Sequence, residues 1–296
     1  KGLARSLQAP KTEASPALPA GQSGDLFDAD DAASTEVAVA AQQREVAYHC
    51  IQTQAQLDEW LAKIHAAELT AIDTETDSLN ALQAQLIGIS LSVQPGEAAY
   101  IPLGHQGLDA VQQLALADVL AQLQPWLEDA SKPKLGQHVK YDQHVLANHG
   151  ITVRGYQHDT MLQSYVLEVH RPHGLESLAL RHTGRTGLSY EDLCGKGKNQ
   201  IPFAQVPLDK ACAYACEDTD QTLDVHRVLW PQIQAQPGLQ HIYALEMATS
   251  EALLRMERNG VTLTSTNQVI AELAGSWSTP EGSRIVQEVV MEALQG

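Results

Sequence analysis

Ala71-Ile72-Asp73-Thr74-Glu75-Thr76-Asp77 is the stretch on which the reading of this chain turns. An apolar strand, begun near residue 69, runs directly into Asp-x-Glu. Residues i and i+2 of a strand share a face, so Asp73 and Glu75 project together from the end of a sheet. Two neighbouring carboxylates repel, and burial raises the cost. A cation removes that penalty, and oxygen ligands suit Mg2+ or Mn2+. Asp-x-Glu alone is also what an ordinary solvated strand end looks like, so the rest of the chain must decide.

Working outward, turn signals and periodicity give the elements. A helix is expected over 57–67, strands over 69–74, 85–93 and 98–103, and a hairpin turn at Gln94-Pro95-Gly96-Glu97. Helical spacing covers 111–127, and a short strand covers 134–139. A helix over 141–148 stops at Gly150. Further helices are expected over 159–169 and 175–182, then a loop-rich segment over 183–206. Pro207 opens a long helix to about Leu229, and another runs over 239–258. Early strands followed by helices mean an α/β or α+β layer with one mixed sheet; α/β, with that central mixed β-sheet flanked by helices, is the fold class expected here.

Two more acidic segments join the first. Gly136-Gln137-His138-Val139-Lys140-Tyr141-Asp142 ends a strand and starts a helix, where the helix dipole favours Asp142. Tyr214-Ala215-Cys216-Glu217-Asp218 lies in the long helix, with Tyr214 and Asp218 four apart on one face. A phenol beside a metal-bound carboxylate can orient an attacking water. Asp142 alone reads better as an ordinary helix-start acid, and Tyr214–Asp218 can be read as a surface pair. Together, four acids and a tyrosine in three segments match the ligand demand of two metal ions about 3.5–4 Å apart.

At these residues the chain resembles the 3′→5′ proofreading exonuclease domain of bacterial DNA polymerase I (family A), in the Tyr-containing subclass of the DEDD superfamily. The text carrying the likeness is Asp73 to Leu79, Lys140-Tyr141-Asp142 and Tyr214 to Asp218. Ala147-Asn148 followed by Gly150, Asp159 to Leu162, Gly195 to Gln200 and Glu257 to Val261 add to it. The resemblance implies a ribonuclease H-like fold and two divalent cations, Mg2+ or Mn2+. Asp73, Glu75 and Asp218 would hold the first, with Asp73 shared, and Asp142 would serve the second, partly through water. Tyr214 and Glu75 would position the water. Leu79 would wedge at the terminal base, Phe203 pack near the penultimate nucleotide, and Gln137, His138 and Tyr141 line the strand path. The implied reaction removes nucleoside 5′-monophosphates from a single-stranded or frayed DNA 3′ end. Competing readings are a ribonuclease D-like RNA exonuclease and a non-catalytic module supporting a polymerase. Core packing of Phe203 is an equal alternative.

The family usually has Asn where His138 stands. Past about Leu273 the text leaves the family pattern. The resemblance therefore divides the chain into a flexible, disordered linker (1–45), an exonuclease domain (46–235) and the helical start of a truncated polymerase domain (236–296). The polymerase and 5′-nuclease domains of a parent chain are the expected partners.

Composition constrains the rest. A net charge of −17 argues against binding nucleic acid by bulk electrostatics, but leaves local phosphate contacts open. Arg181, Arg185, Lys196 and Lys198 are candidates for such contacts, or simply a solvated basic loop. Cys50, Cys194, Cys212 and Cys216 lack a zinc pattern and read as free thiols, in keeping with a bacterial cytoplasm. No apolar run approaches 18 residues, so no membrane span is expected. A monomer is expected.

Overall fold

A computed structural model describes residues 45–106, 112–197 and 200–260. The linker expected before residue 45, Lys198 and the chain beyond 260 lie outside the described residues. The sheet has six strands in the order β1-β4-β3-β2-β5-β6. These are β1 (Ala47–Cys50), β2 (Thr70–Thr76), β3 (Leu86–Gln94), β4 (Glu97–Pro102), β5 (Lys134–Gly136) and β6 (Tyr156–Asp159). The β2, β3 and β4 strands pair antiparallel, while β1, β5 and β6 add in parallel, so the sheet is mixed as expected.

Helices cover both faces of this sheet. They are α1 (Gln54–Ala66), α2 (Leu116–Leu127), α3 (Val139–Asn148), α4 (Thr160–Leu167), α5 (Leu175–Thr183), α6 (Tyr190–Cys194), α7 (Leu208–Gln234) and α8 (Pro237–Arg258). Side-chain alternation along β2 sorts the core into two layers. Ile72 packs with Trp60, Ile64, Trp126 and Val145 on the face covered by α1, α2 and α3. Ala71, one residue earlier, packs with Leu223 of α7 on the opposite face. Asp73 and Glu75 share the parity of Ala71 and so stand on the α7 side.

Three elements go beyond the sequence expectation. β1 and β6 are four-residue edge strands with polar, half-exposed sequences, and short polar edges carry little periodic signal. Within the segment read as loop, α6 starts at Ser189, whose side chain and that of Asp192 form a capping box. Helix α7 continues through Pro231 to Gln234 rather than stopping near Leu229, and Pro207 stands just outside it as the N-cap residue. Helix α8 lies against α3 and α4. Glu257 accepts from Lys140 Nζ at 2.5 Å and pairs with His144 Nε2 at 2.7 Å. Arg258 donates to Asn148 Oδ1 at 2.7 Å.

Gly88 of β3 faces Glu75 across the ladder, and the ring of Tyr100 lies over it. A Cβ at Gly88 would sit 2.1 Å from the Tyr100 hydroxyl oxygen. That hydroxyl is tied to His105 Nε2 at 2.8 Å, which restrains the ring from moving away. Gly88→Ala is expected to lower stability by about 1–3 kcal/mol through overpacking. Urea unfolding would register this as a lower midpoint at unchanged slope; an unaltered midpoint would mean that the Tyr100 ring swings aside freely.

Candidate active site

Asp73 and Glu75 of β2 and Asp218 of α7 each bring one carboxylate oxygen within 4.8 Å of the other two. Among the described residues this is the one such group of His, Cys, Asp or Glu. Asp142 reaches the same strand end from α3. Its Oδ1 accepts from Thr74 Oγ1 at 2.6 Å and from Thr74 N at 3.1 Å. Thr74 alternates with Asp73 and Glu75, so the cluster straddles the end of β2, with α7 on one face and α3 on the other. Tyr214 stands one turn before Asp218 in α7, and the charge of that carboxylate acts on its phenol.

Burial is the first cause of every protonation shift here. It pushes Asp73 up to about 7, opposed only by a bond from the Thr74 backbone. Burial pushes Glu75 up strongly, and the charges of Asp73, Asp218 and Asp142 push it further. Asp142 and Asp218 rise in the same way, each with Asp73 as the next cause. Burial and then the Asp218 charge also raise the Tyr214 phenol. The Glu75 side chain is buried, and its Oε1 has no hydrogen-bond partner. A buried, unpaired carboxylate oxygen facing two other acids fits a hard divalent cation with oxygen ligands.

The loop after β2 is tied down so that it presents one residue. Tyr141 of α3 donates its hydroxyl to Ser78 O at 2.5 Å and also contacts the Thr76 hydroxyl. Asn148, further along α3, donates to Ala81 O at 2.9 Å and Ala84 O at 3.2 Å. Asp77 accepts from Gln85 N at 2.7 Å, closing the loop's base. Leu79, inside this anchored loop, is 99% exposed. An isolated exposed Leu is unremarkable on a surface; one held out by a braced loop beside an acidic cluster is available to a ligand.

The other sequence candidates are placed differently. Gln137 spends its amide inside the protein, donating to His173 O at 2.8 Å and accepting from Thr160 Oγ1 at 2.5 Å. His138 is exposed and takes the left-handed conformation, φ 62° and ψ 51°. His, like Asn, is one of the few non-glycine residues enriched in this region. Phe203 is 1% exposed, its ring 6.1 Å from that of Tyr214 and 5.8 Å from that of His105. It supports Tyr214 from behind and presents no surface to solvent.

Sequence reasoning passed over Tyr190. It opens α6 and is 41% exposed. Burial first, and then the Cys194, Glu75 and Tyr141 groups, push its phenol up to about 12. Tyr190 is thus an accessible aromatic within electrostatic reach of the acids. The Ser189–Asp192 capping box on either side of it signals the start of a short helix, but not the approach of that helix to the acids. The basic loop residues are largely engaged: Arg181 pairs with Glu168, Arg185 with Asp220 and Asp224, and Lys196 with Glu191. The four cysteines are free thiols, three of them buried.

A mixed six-stranded sheet flanked by helices, with Asp73, Glu75 and Asp218 grouped at one strand end and Asp142 beside them, is a ribonuclease H-like fold. A family model described as 3′-5′ exonuclease matches residues 48–234, and the chain belongs to that family. DNA polymerase I of Pseudomonas aeruginosa is 43% identical over 265 residues, covering 88% of this chain and 28% of that protein. DNA polymerase I of Rhizobium leguminosarum is 38% identical, covering 77% of this chain and 24% of that protein. The chain thus spans about a quarter of the length of these relatives. Among solved structures, the POL domain of Pol1 from M. smegmatis in complex with DNA primer-template and dNTP superposes with a TM-score of 0.56 at 21% identity. That match covers 77% of this chain and 35% of the other. Escherichia coli RNase D gives a TM-score of 0.52 at 20% identity, covering 79% of this chain and 56% of that one. These structural likenesses speak to the fold.

The raised acids set a stability prediction with a definite sign. A carboxyl whose folded pKa lies above its unfolded value contributes stability below the unfolded pKa and loses it as pH rises through the folded one. For Asp73 the window runs from about 4 to about 7. With chelator present, stability should therefore fall across that window, by on the order of 4 kcal/mol for the full window. Added Mn2+ should restore it at pH 8. Urea midpoints at pH 5 and pH 8, with EDTA and with Mn2+, test this; chelated protein equally stable at both pH values contradicts it.

Proposed function

We propose that this chain hydrolyses the terminal phosphodiester at the 3′ end of single-stranded or frayed DNA. It would release nucleoside 5′-monophosphates as the proofreading module of a DNA polymerase I-like protein. The observation carrying this reading is the convergence of Asp73, Glu75 and Asp218, with Asp142, on one end of β2. The relatives named DNA polymerase I support DNA as the substrate.

Two divalent cations, Mg2+ or Mn2+, are proposed: Asp73, Glu75 and Asp218 hold one, and Asp142, with Asp73 shared, holds the other. When bound, such ions lower the pKa of a water and stabilise the charge on the leaving 3′ oxygen. The chain's own groups do the rest. Tyr214 and Glu75 orient the attacking water, with Phe203 backing the Tyr214 ring. Leu79 intrudes at the terminal base and separates it from its neighbour. Tyr190 offers a ring for a base to stack on, a contact that tolerates any sequence. His138 and Tyr141 flank the strand, while the Gln137 amide is engaged within the protein. In domain terms, residues 46–235 form the exonuclease unit, residues 1–45 a linker, and residues from 236 onward the start of the polymerase domain. With a net charge of −17, affinity for DNA should be weak and sensitive to salt.

The test is incubation with 3′-extended, 5′-labelled oligonucleotide, reading the product ladder with and without Mg2+. Asp73→Ala should abolish Mg2+-dependent release while the protein stays folded. Tyr190→Ala should raise KM by roughly 5–30-fold, the equivalent of losing about 1–2 kcal/mol of stacking, with kcat much less affected. RNA of equal length is the discriminating arm: faster degradation of RNA than of DNA would favour the ribonuclease D-like reading. Activity surviving in Asp73→Ala would remove the acidic cluster as the catalytic centre.

A further inference from the structure

Helix α3 carries Asp142 and Tyr141, yet it begins at a residue that does not cap it. His138 stands at its N-cap position in the left-handed conformation, and its side chain makes no capping bond. The first N–H groups of a helix still need acceptors. Here the acceptor comes from another element. Asp159, the last residue of β6, is 1% exposed. Its Oδ1 accepts from His138 N at 3.0 Å, and its Oδ2 accepts from Val139 N at 2.9 Å. The same Oδ1 caps α4, accepting from Met161 N at 2.9 Å and Leu162 N at 3.3 Å. One buried carboxylate therefore terminates two helices, whose positive dipole ends converge on it. The Asp159 backbone N–H donates to the Tyr243 hydroxyl of α8 at 2.9 Å.

We infer that Asp159 is a positioning residue for the exonuclease reaction. It clamps the first turn of α3 to β6 and so sets where Asp142 stands relative to Asp73, Glu75 and Asp218. This rests on the proposed role of Asp142 at a metal site. Asp142 lies three residues beyond Val139, within one turn of the clamped N–H groups, so a shift at the helix start moves its carboxylate directly. The Thr74 bonds hold Asp142 from the sheet side, and Asp159 holds its helix from the other. Two bonds to α3 and two to α4 make this acid a joint between the active-site helix and the rest of the fold.

The test separates this role from plain stability. Asp159→Asn keeps the shape but turns one oxygen into an NH2 that faces N–H donors. Asp159→Ser keeps a good cap for α4 but is too short to reach α3. Tyr243→Phe removes the neighbouring bond to α8 and leaves the carboxylate in place. Binding of Mn2+ is followed by the electron paramagnetic resonance of the free ion, beside kcat and KM on a labelled oligonucleotide and a thermal unfolding curve. For Asp159→Asn and Asp159→Ser, Mn2+ affinity is expected to weaken by roughly 10–100-fold at one class of site, the usual effect of losing a group that orients a ligand. Turnover, kcat, is expected to fall by up to about 100-fold, as for a misplacement near 1 Å, with KM little changed. Tyr243→Phe is expected to lose stability while keeping wild-type Mn2+ binding and kcat. Asp159 variants that stay folded and bind Mn2+ like wild type overturn the inference, as does a Tyr243→Phe protein with the same Mn2+ and kcat losses. Should wild type itself release no nucleotide, the functional reading fails, and the Mn2+ curves still decide the role of Asp159.

Discussion

Mutual repulsion among closely gathered carboxylates is the constraint that the rest of this structure serves. Glu75 and Asp142 are buried and Asp73 and Asp218 part-buried; withdrawal from water raises all four, and neighbouring acids add to the rise at Glu75, Asp142 and Asp218. Left to themselves, such groups would turn toward water or unfold their surroundings. The fold prevents both by taking them from three rigid elements: a strand in the centre of the sheet, a long helix and the first turn of another helix. The unpartnered Glu75 oxygen is what remains of that conflict, and a bound cation is its chemical resolution.

Holding the acids in place requires a stiff frame, and the frame is visible in the packing around β2. Gly88 makes room for Tyr100 beneath Glu75. Thr74, on the opposite face of the strand, bonds Asp142 from the sheet. Tyr141 and Asn148, at the two ends of α3, brace the loop that carries Leu79. Helix α3 thus supplies an acid to the site and the anchors of the loop at its rim, which makes its own placement a matter of function. That placement depends on Asp159 at one end and, at the outer face, on the Lys140–Glu257 ion pair and the His144–Glu257 hydrogen bond to α8.

Much of the site was legible because its parts are local. Asp73 and Glu75 share a face by strand alternation, and Tyr214 and Asp218 by helical spacing, so each pair follows from position in the chain alone. The β3–β4 hairpin was legible from Gln94-Pro95-Gly96-Glu97 for the same reason. Tyr190 was not legible as a site residue, because nothing in residues 183–206 says that this segment folds back beside Glu75. Phe203 was read as near the strand path or in the core, and it proved fully buried behind Tyr214. Both cases depend on contacts between residues far apart in sequence.

From its sequence alone this chain determined which residue types pair locally, and the order of motifs marked a 3′-5′ exonuclease before any coordinates. Tertiary structure decided which of those pairs meet, which aromatics reach solvent, and that one carboxylate at the end of β6 starts the helix bearing Asp142. The physical reason is range. Alternation and helical pitch act over a few residues and are written in the order of the chain. Burial, charge repulsion and the capping of one element by another act through space, and they exist only once the sheet has brought distant segments together.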